Sequence, residues 1–233
     1  MSLRNELWMW FRYRVLRRLV LNQSGYWVSC GQTGEDMVIR AILNDVDRGF
    51  YVDIGAYHPV GFSNTYHFYL RGWRGLNVDA SPDAMQLFNR LRPRDINVQA
   101  CVDEKAGVEK DFHIFDRPAL NTITEAGLKA GLVTHGAKLE KTIRLVTRSV
   151  NDLLAEHVPA DQPIHFLTMD VEGLDNALLQ SLDFNRYRPW VICFEDREAS
   201  ANRETPAIRM MKDRGYAVAG LTPLSVIMKK ENL

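Results

Sequence analysis

The sequence has no net charge, few cysteines, no long hydrophobic run and no glycine-rich phosphate loop. Each shortage closes off a class of function. The 29 Lys and Arg are balanced by 29 Asp and Glu, so no global field recruits nucleic acid or anionic lipid. Cys30, Cys101 and Cys193 are widely spaced and form no metal-ligand pattern. Cys101 and Cys193 sit inside apolar runs and read as small core residues of a reducing compartment. There is no secretory signal pattern and no stretch long enough to cross a bilayer, so a cytoplasmic location is expected. Internal repeats and low-complexity tracts are absent as well. What remains, 46% apolar and 25% charged over 233 residues, suits one globular domain with a full core.

Residues 3–21 differ from the rest. Trp8, Trp10, Phe11 and Tyr13 interleave with Arg4, Arg12, Arg14, Arg17 and Arg18, and helical spacing puts Leu7, Phe11, Val15 and Leu19 near one face. Such a basic aromatic helix either packs on the domain or lies peripherally at the inner face of a membrane. Beyond it, strand and helix signals alternate. The continuous apolar run Phe50-Tyr51-Val52, broken only by Asp53 before Ile54, predicts a buried strand that runs into Gly55. Further strands are predicted at 75–80, 96–102, 164–170 and 190–194, and a closing pair at 216–221 and 225–229 around Thr222-Pro223. Ser81-Pro82-Asp83 and Ser149 with Asp152 are helix starts. Alternation of this kind marks a parallel sheet with crossover helices. From 110 to 148 the regularity lapses: 112–115 and 143–146 look like strands, but 118–140 has three glycines and little periodicity, and a long insertion in a compact domain is usually a lid or substrate loop.

Four acids, Asp53, Asp79, Asp170 and Glu195, fall where predicted strands end. In an open parallel sheet those ends converge on one crevice. Asp79, at the end of the strand after that of Asp53, is placed to accept hydrogen bonds from both hydroxyls of a ribose. The turn after Gly55 continues Tyr57-His58-Pro59-Val60-Gly61, too bulky for a dinucleotide fingerprint. A nucleoside without a pyrophosphate fits better, with a decayed NAD site as the rival.

The ordered set Gln32-Thr33-Gly34-Glu35-Asp36, Tyr51-Val52-Asp53-Ile54-Gly55-Ala56, Ser63-Asn64-Thr65, Gly72-Trp73-Arg74-Gly75 with Asp79, and Met169-Asp170-Val171-Glu172-Gly173 resembles the FkbM family of S-adenosylmethionine-dependent methyltransferases. Many methyltransferases carry a glycine where Pro59 stands, a departure that bears on the geometry of the first loop. The resemblance implies a Rossmann-like methyltransferase fold and O-methyl transfer, often to sugars or polyketides. It implies that Asp53, Gly55 and Ala56 line the methionine and ribose of the cofactor and that Asp79 holds the ribose hydroxyls. Ala80 and Ser81 would begin the adenine wall, Cys101, Val102 and Asp103 would bracket the adenine, and Gln32, Glu35 and Asn64 would close over the methionine end. For each polar residue the plain alternative is a cap or a turn.

Methyl transfer is an in-line displacement, and a sugar hydroxyl benefits from a general base as its proton leaves. Asp170 and Glu172 are the candidates, with His58 and His67 competing; Asp170 and Glu172 could instead cap the helix that follows. Asp170, Glu172 and Glu195 could offer oxygen ligands to magnesium, but nothing in their spacing demands one. Asp-Val-Glu-Gly lacks the stacking platform a flipped nucleic-acid base would use. The expectation is therefore an α/β protein: a basic helix in residues 1–24, then a methyltransferase domain in 25–233 with its insertion at 110–148. Its central, mostly parallel seven-stranded sheet would have one antiparallel edge strand and helices on both faces. Its acceptor would be a sugar of a glycan or glycolipid, with residues 3–21 beside a membrane or a glycan-assembly partner. An NAD-dependent oxidoreductase and a non-catalytic interaction domain are the rivals.

Overall fold

The structure is a computed structural model that describes residues 28–171, 173–199 and 203–233. The basic segment 3–21 and Glu172 lie outside the described residues. Strand β1 (Phe50–Ile54) is buried along its whole length. Parallel to it run β2 (Arg74–Asp79) on one side and β7 (Phe166–Met169) on the other. With β3 (Ile96–Gln99), β8 (Val191–Glu195), β9 (Tyr216–Leu221) and β10 (Ser225–Lys230) they make a seven-stranded sheet in the order β3-β2-β1-β7-β8-β10-β9. The closing pair is antiparallel, as its turn sequence predicts, but the reversed strand is β10, second from the edge, because β10 pairs antiparallel with both β8 and β9.

Side chains alternate along β1, so its two faces feed two cores. Phe50, Val52 and Ile54 join the cluster covered by α5 (Val150–His157), α6 (Asp175–Ser181) and α7 (Pro206–Asp213). Tyr51 joins Phe68, Trp73 and Phe166 on the face covered by α1 (Glu35–Ile42) and α2 (Tyr66–Leu70). By the same alternation Asp53 belongs to the Tyr51 face. Helix α3 (Pro82–Leu91) starts where the sequence signals it: the Ser81 hydroxyl accepts from the Ala84 amide at 3.3 Å. The Ser149 hydroxyl likewise accepts from the Asp152 amide at 3.1 Å. The three cysteines are buried and unpaired. Among the described residues no helix is long and apolar enough to cross a membrane.

Two differences from the sequence expectation shape the site. The third strand does not run from 96 to 102. It leaves the main sheet at Ala100, whose amide donates to the Asp79 carbonyl at 3.0 Å, and Cys101–Val102 (β4) then pairs with β6 (Leu139–Arg148) instead. The insertion also differs: the strands expected at 112–115 and 143–146 are there but longer, and the stretch between them is partly helical. Strands β5 (Glu109–Phe115) and β6 form an antiparallel hairpin. Its tip carries α4 (Glu125–Lys129), which runs into a single π-helical turn at Ala130–Thr134.

Candidate active site

The carboxyl ends of β1, β2 and β7 open into a cavity of about 850 Å³, roofed on one side by the β5–β6 hairpin through Phe112, Ile114 and Thr122. Gly55 is the pivot. Its φ is 78°, and a Cβ there would lie 1.8 Å from the Asp170 carbonyl oxygen, so only glycine lets β1 turn beside the end of β7. The Gly55 and Ala56 amides donate to the Val78 carbonyl at 2.9 and 3.0 Å, which ties the turn to β2.

Asp53 and Asp79 both reach the cavity. Asp79 is pinned by backbone amides, Oδ1 accepting from Ser81 at 2.7 Å and Oδ2 from Tyr57 at 2.9 Å. Burial raises its carboxyl above the usual range in spite of those bonds. Asp53 is more sparsely held: Oδ2 accepts from the Thr65 hydroxyl at 2.7 Å, and burial pushes the carboxyl up to about 6. Among the described residues six carboxylates (Asp53, Asp79, Asp83, Asp116, Glu140 and Asp170) line the cavity, against Arg90 and Arg117.

The turn after Gly55 brings three further groups to the wall. Asn64 Nδ2 donates to Thr168 Oγ1 at 3.2 Å, and its buried Oδ1 has no hydrogen-bond partner. His58 Nδ1 accepts from the Val60 and Gly61 amides at 3.1 and 2.9 Å. Burial lowers the His58 imidazole to about 4, so the ring stays neutral. With Nδ1 occupied as an acceptor, the ring proton belongs on Nε2, which is buried and unpartnered. His58 is therefore arranged as a hydrogen-bond donor. The role of general base considered for it from the sequence does not suit this geometry, because the only lone pair is already used. Tyr57 and Phe62 both have left-handed backbone, φ 52° and 54°, and their rings stack at 6.4 Å. Phe62 is 62% exposed at the cavity mouth. Two bulky residues in a sparsely populated conformation are a recurrent mark of a functional loop.

Gln32, Ala56, Ala80, Ser81, Cys101 and Val102 also line the cavity, so most of the residues singled out in the sequence come together. Glu35, His67, Asp103 and Glu195 do not, and Glu195 instead accepts from Arg197 Nε at 2.7 Å. Glu35 is buried and accepts from the Thr33 amide at 2.9 Å, the Thr33 hydroxyl and the Thr222 hydroxyl at 2.8 Å. Asp36 accepts from the Ser29 hydroxyl and the Cys30 amide, both at 2.6 Å. The two acids thus hold the loop that presents Gln32. Asp103 is drawn away by Lys110 on β5, whose Nζ lies 2.5 Å from Oδ2.

Asp170 stands exposed at the end of β7 and lines the cavity, its amide donating to the Ile54 carbonyl at 2.9 Å. Among the described residues no group of three or more His, Cys, Asp or Glu side chains is placed to hold a metal ion. Sequence reasoning missed Thr65, Arg92, Thr168 and the hairpin's Phe112 and Ile114. Thr65 and Thr168 carried a signal: Thr65 is the last residue of the Ser63-Asn64-Thr65 motif, and Thr168 directly precedes Met169-Asp170. Arg92, just before Pro93, carried none.

The strand order, with acids gathered where the central strands end, defines a Rossmann-like methyltransferase fold. The family model described as Methyltransferase FkbM domain matches residues 53–218, more than half of the chain, and the chain belongs to that family. None of the curated proteins matches it. Among solved structures, an O-methyltransferase from Bacillus cereus in complex with SAH is 12% identical, with 97% of this chain and 91% of that one covered at a TM-score of 0.41. A TehB-like SAM-dependent methyltransferase from Corynebacterium glutamicum is 13% identical, with 98% and 100% covered at a TM-score of 0.39. Likenesses this low say nothing of activity or ligand. The architecture rests on the strand order itself.

Proposed function

We propose that this methyltransferase transfers the methyl group of S-adenosylmethionine to a hydroxyl, on a sugar of a glycan or glycolipid. The observation that carries the reading is the wall of the cavity. Its carboxylates outnumber its cations, two of them, Asp53 and Asp79, are raised by burial, and Asn64 Oδ1 and His58 Nε2 are buried without partners. A cationic ligand with hydroxyls, an ammonium and a carboxylate answers each of these. The volume lies within the range of roughly 300–1,000 Å³ usual for such pockets.

The bound cofactor would supply an electrophilic methyl group on a sulfonium. Asp79, pinned by two amides, keeps lone pairs for ribose hydroxyls. Asp53 sets a negative charge against the ligand's cationic end, and the donor at His58 Nε2 suits a carboxylate or an acceptor oxygen. Asp170, exposed at the cavity wall, would take the proton of the attacking hydroxyl. The hairpin roof keeps water from competing for the methyl group. The acceptor being a sugar is supported by the Tyr57–Phe62 stack, an apolar platform for the C–H face of a pyranose beside polar groups that suit its hydroxyls. Residues 3–21 would bring such an enzyme to glycan assembly at the inner membrane face, and this rests on the sequence alone.

Incubating the protein with methyl-labelled S-adenosylmethionine and a panel of oligosaccharides and glycolipids tests the reading. Label should appear as an O-methyl sugar, and Asp170→Asn should lower kcat by about 10²-fold or more while donor affinity holds. Label in an amine, or in no sugar of the panel, would contradict the assigned acceptor.

A further inference from the structure

Behind Asp53 lies a fully buried guanidinium with no direct part in the cavity. Arg92, at the end of α3, is 0% exposed, and each of its nitrogens is used. Nε donates to Asp95 Oδ2 at 2.8 Å and Nη2 to the Tyr51 hydroxyl at 2.7 Å. Nη1 donates to the Thr65 hydroxyl at 2.9 Å and the Ser63 hydroxyl at 3.3 Å. Asp95 is itself held by the Tyr51 hydroxyl, the Gly75 amide and Asn77 Nδ2. The Arg92 charge is thus balanced by Asp95, and Asp53 is left as a surplus negative charge at the mouth of the network.

Thr65 is the link. A hydroxyl has one proton to give. Because Thr65 Oγ1 accepts from Arg92, its proton is directed the other way, onto Asp53 Oδ2 at 2.7 Å. Among the described residues no hydrogen bond reaches Asp53 Oδ1. We propose that Arg92, acting through Thr65, is a positioning residue for the methyl donor: it fixes Asp53 by one oxygen, keeps it ionised, and leaves the other oxygen for the cationic end of the ligand. This rests on the reading of the cavity as the S-adenosylmethionine site. The other charged groups near Asp53 are Asp79 on β2, Asp95 before β3 and Asp170 after β7. All three are acidic, so Arg92 is the cation among these neighbours that opposes its protonation.

The test is calorimetric titration of the full chain with S-adenosylmethionine between pH 5 and 8, for wild type, Thr65→Val, Thr65→Ser and Arg92→Lys. Wild-type affinity should fall as pH drops through about 6, where Asp53 takes up its proton. Thr65→Val should bind about tenfold more weakly at neutral pH, and its pH midpoint should move upward by about half a unit or more. Thr65→Ser, which keeps the donor, should restore both. Arg92→Lys, which keeps the charge but loses the fork, should fall between. If Thr65→Val does not fold, Thr65→Ala replaces it with the same expected shift. A Thr65→Val protein that melts earlier yet keeps the wild-type affinity and pH midpoint would mean a structural role only, and would overturn the proposal. Wild-type protein that does not bind S-adenosylmethionine would overturn the cofactor reading and, with it, this proposal.

Discussion

At the scale of single residues, the cavity trades stability for charge. The Asp53 carboxyl is raised to about 6 because burial outweighs the Thr65 bond and the Arg92 charge. A carboxyl raised on folding holds its proton longer in the folded state, so folded stability declines as pH rises from about 4 to about 6. Asp53→Asn should therefore stabilise the ligand-free protein at pH 7.5, by about 1–3 kcal/mol, and weaken S-adenosylmethionine binding at the same time. Denaturant unfolding and titration of the same sample would check both halves. Gly55 makes the opposite case, a backbone position with no alternative. Gly55→Ala meets both a left-handed φ and the Asp170 carbonyl, and should cost at least about 2 kcal/mol in denaturant unfolding while displacing Asp170.

At the scale of elements, Glu35 ties α1 and its preceding loop to the far edge of the sheet, beside the packing of Val38 on Gly220. Glu35 gathers Thr33 and, from the turn between β9 and β10, Thr222. Glu35→Ala should cost about 1–3 kcal/mol through the donors it leaves unpaired. It should also loosen Gln32 enough to weaken donor binding, which thermal melting with and without S-adenosylmethionine would read. The elements themselves were largely legible in the sequence. Apolar runs mark the buried strands, and Ser81 and Ser149 announce their helices because a cap bonds to backbone only three residues away. The break at Ala100 was not legible. The run Ala100-Cys101-Val102 stays apolar, and what ends β3 there is pairing of Cys101 with Thr147, far along the chain. His58 read as a base for the same kind of reason: its tautomer is set by the Val60 and Gly61 amides, and a composition pattern does not reveal where those point. Arg92, just before Pro93, has nothing around it in the sequence that marks it as buried. It is buried because Tyr51 on β1, Thr65 before α2 and Asp95 before β3 converge on it.

At the scale of the whole molecule, a chain with no net charge keeps a cavity lined, among the described residues, by six acids against two arginines, so the field that matters is local and invisible in the totals. Affinity for S-adenosylmethionine should accordingly fall with added salt more steeply than affinity for its neutral-sulfur product S-adenosylhomocysteine, because only the former carries the extra positive charge. The measurement closest to the central claim is calorimetric titration of the full chain with S-adenosylmethionine, S-adenosylhomocysteine and NAD, repeated on Asp79→Ala. The account predicts that the first two bind in the micromolar range, that NAD does not, and that Asp79→Ala loses both. Binding of NAD alone, or of none of the three, would contradict it.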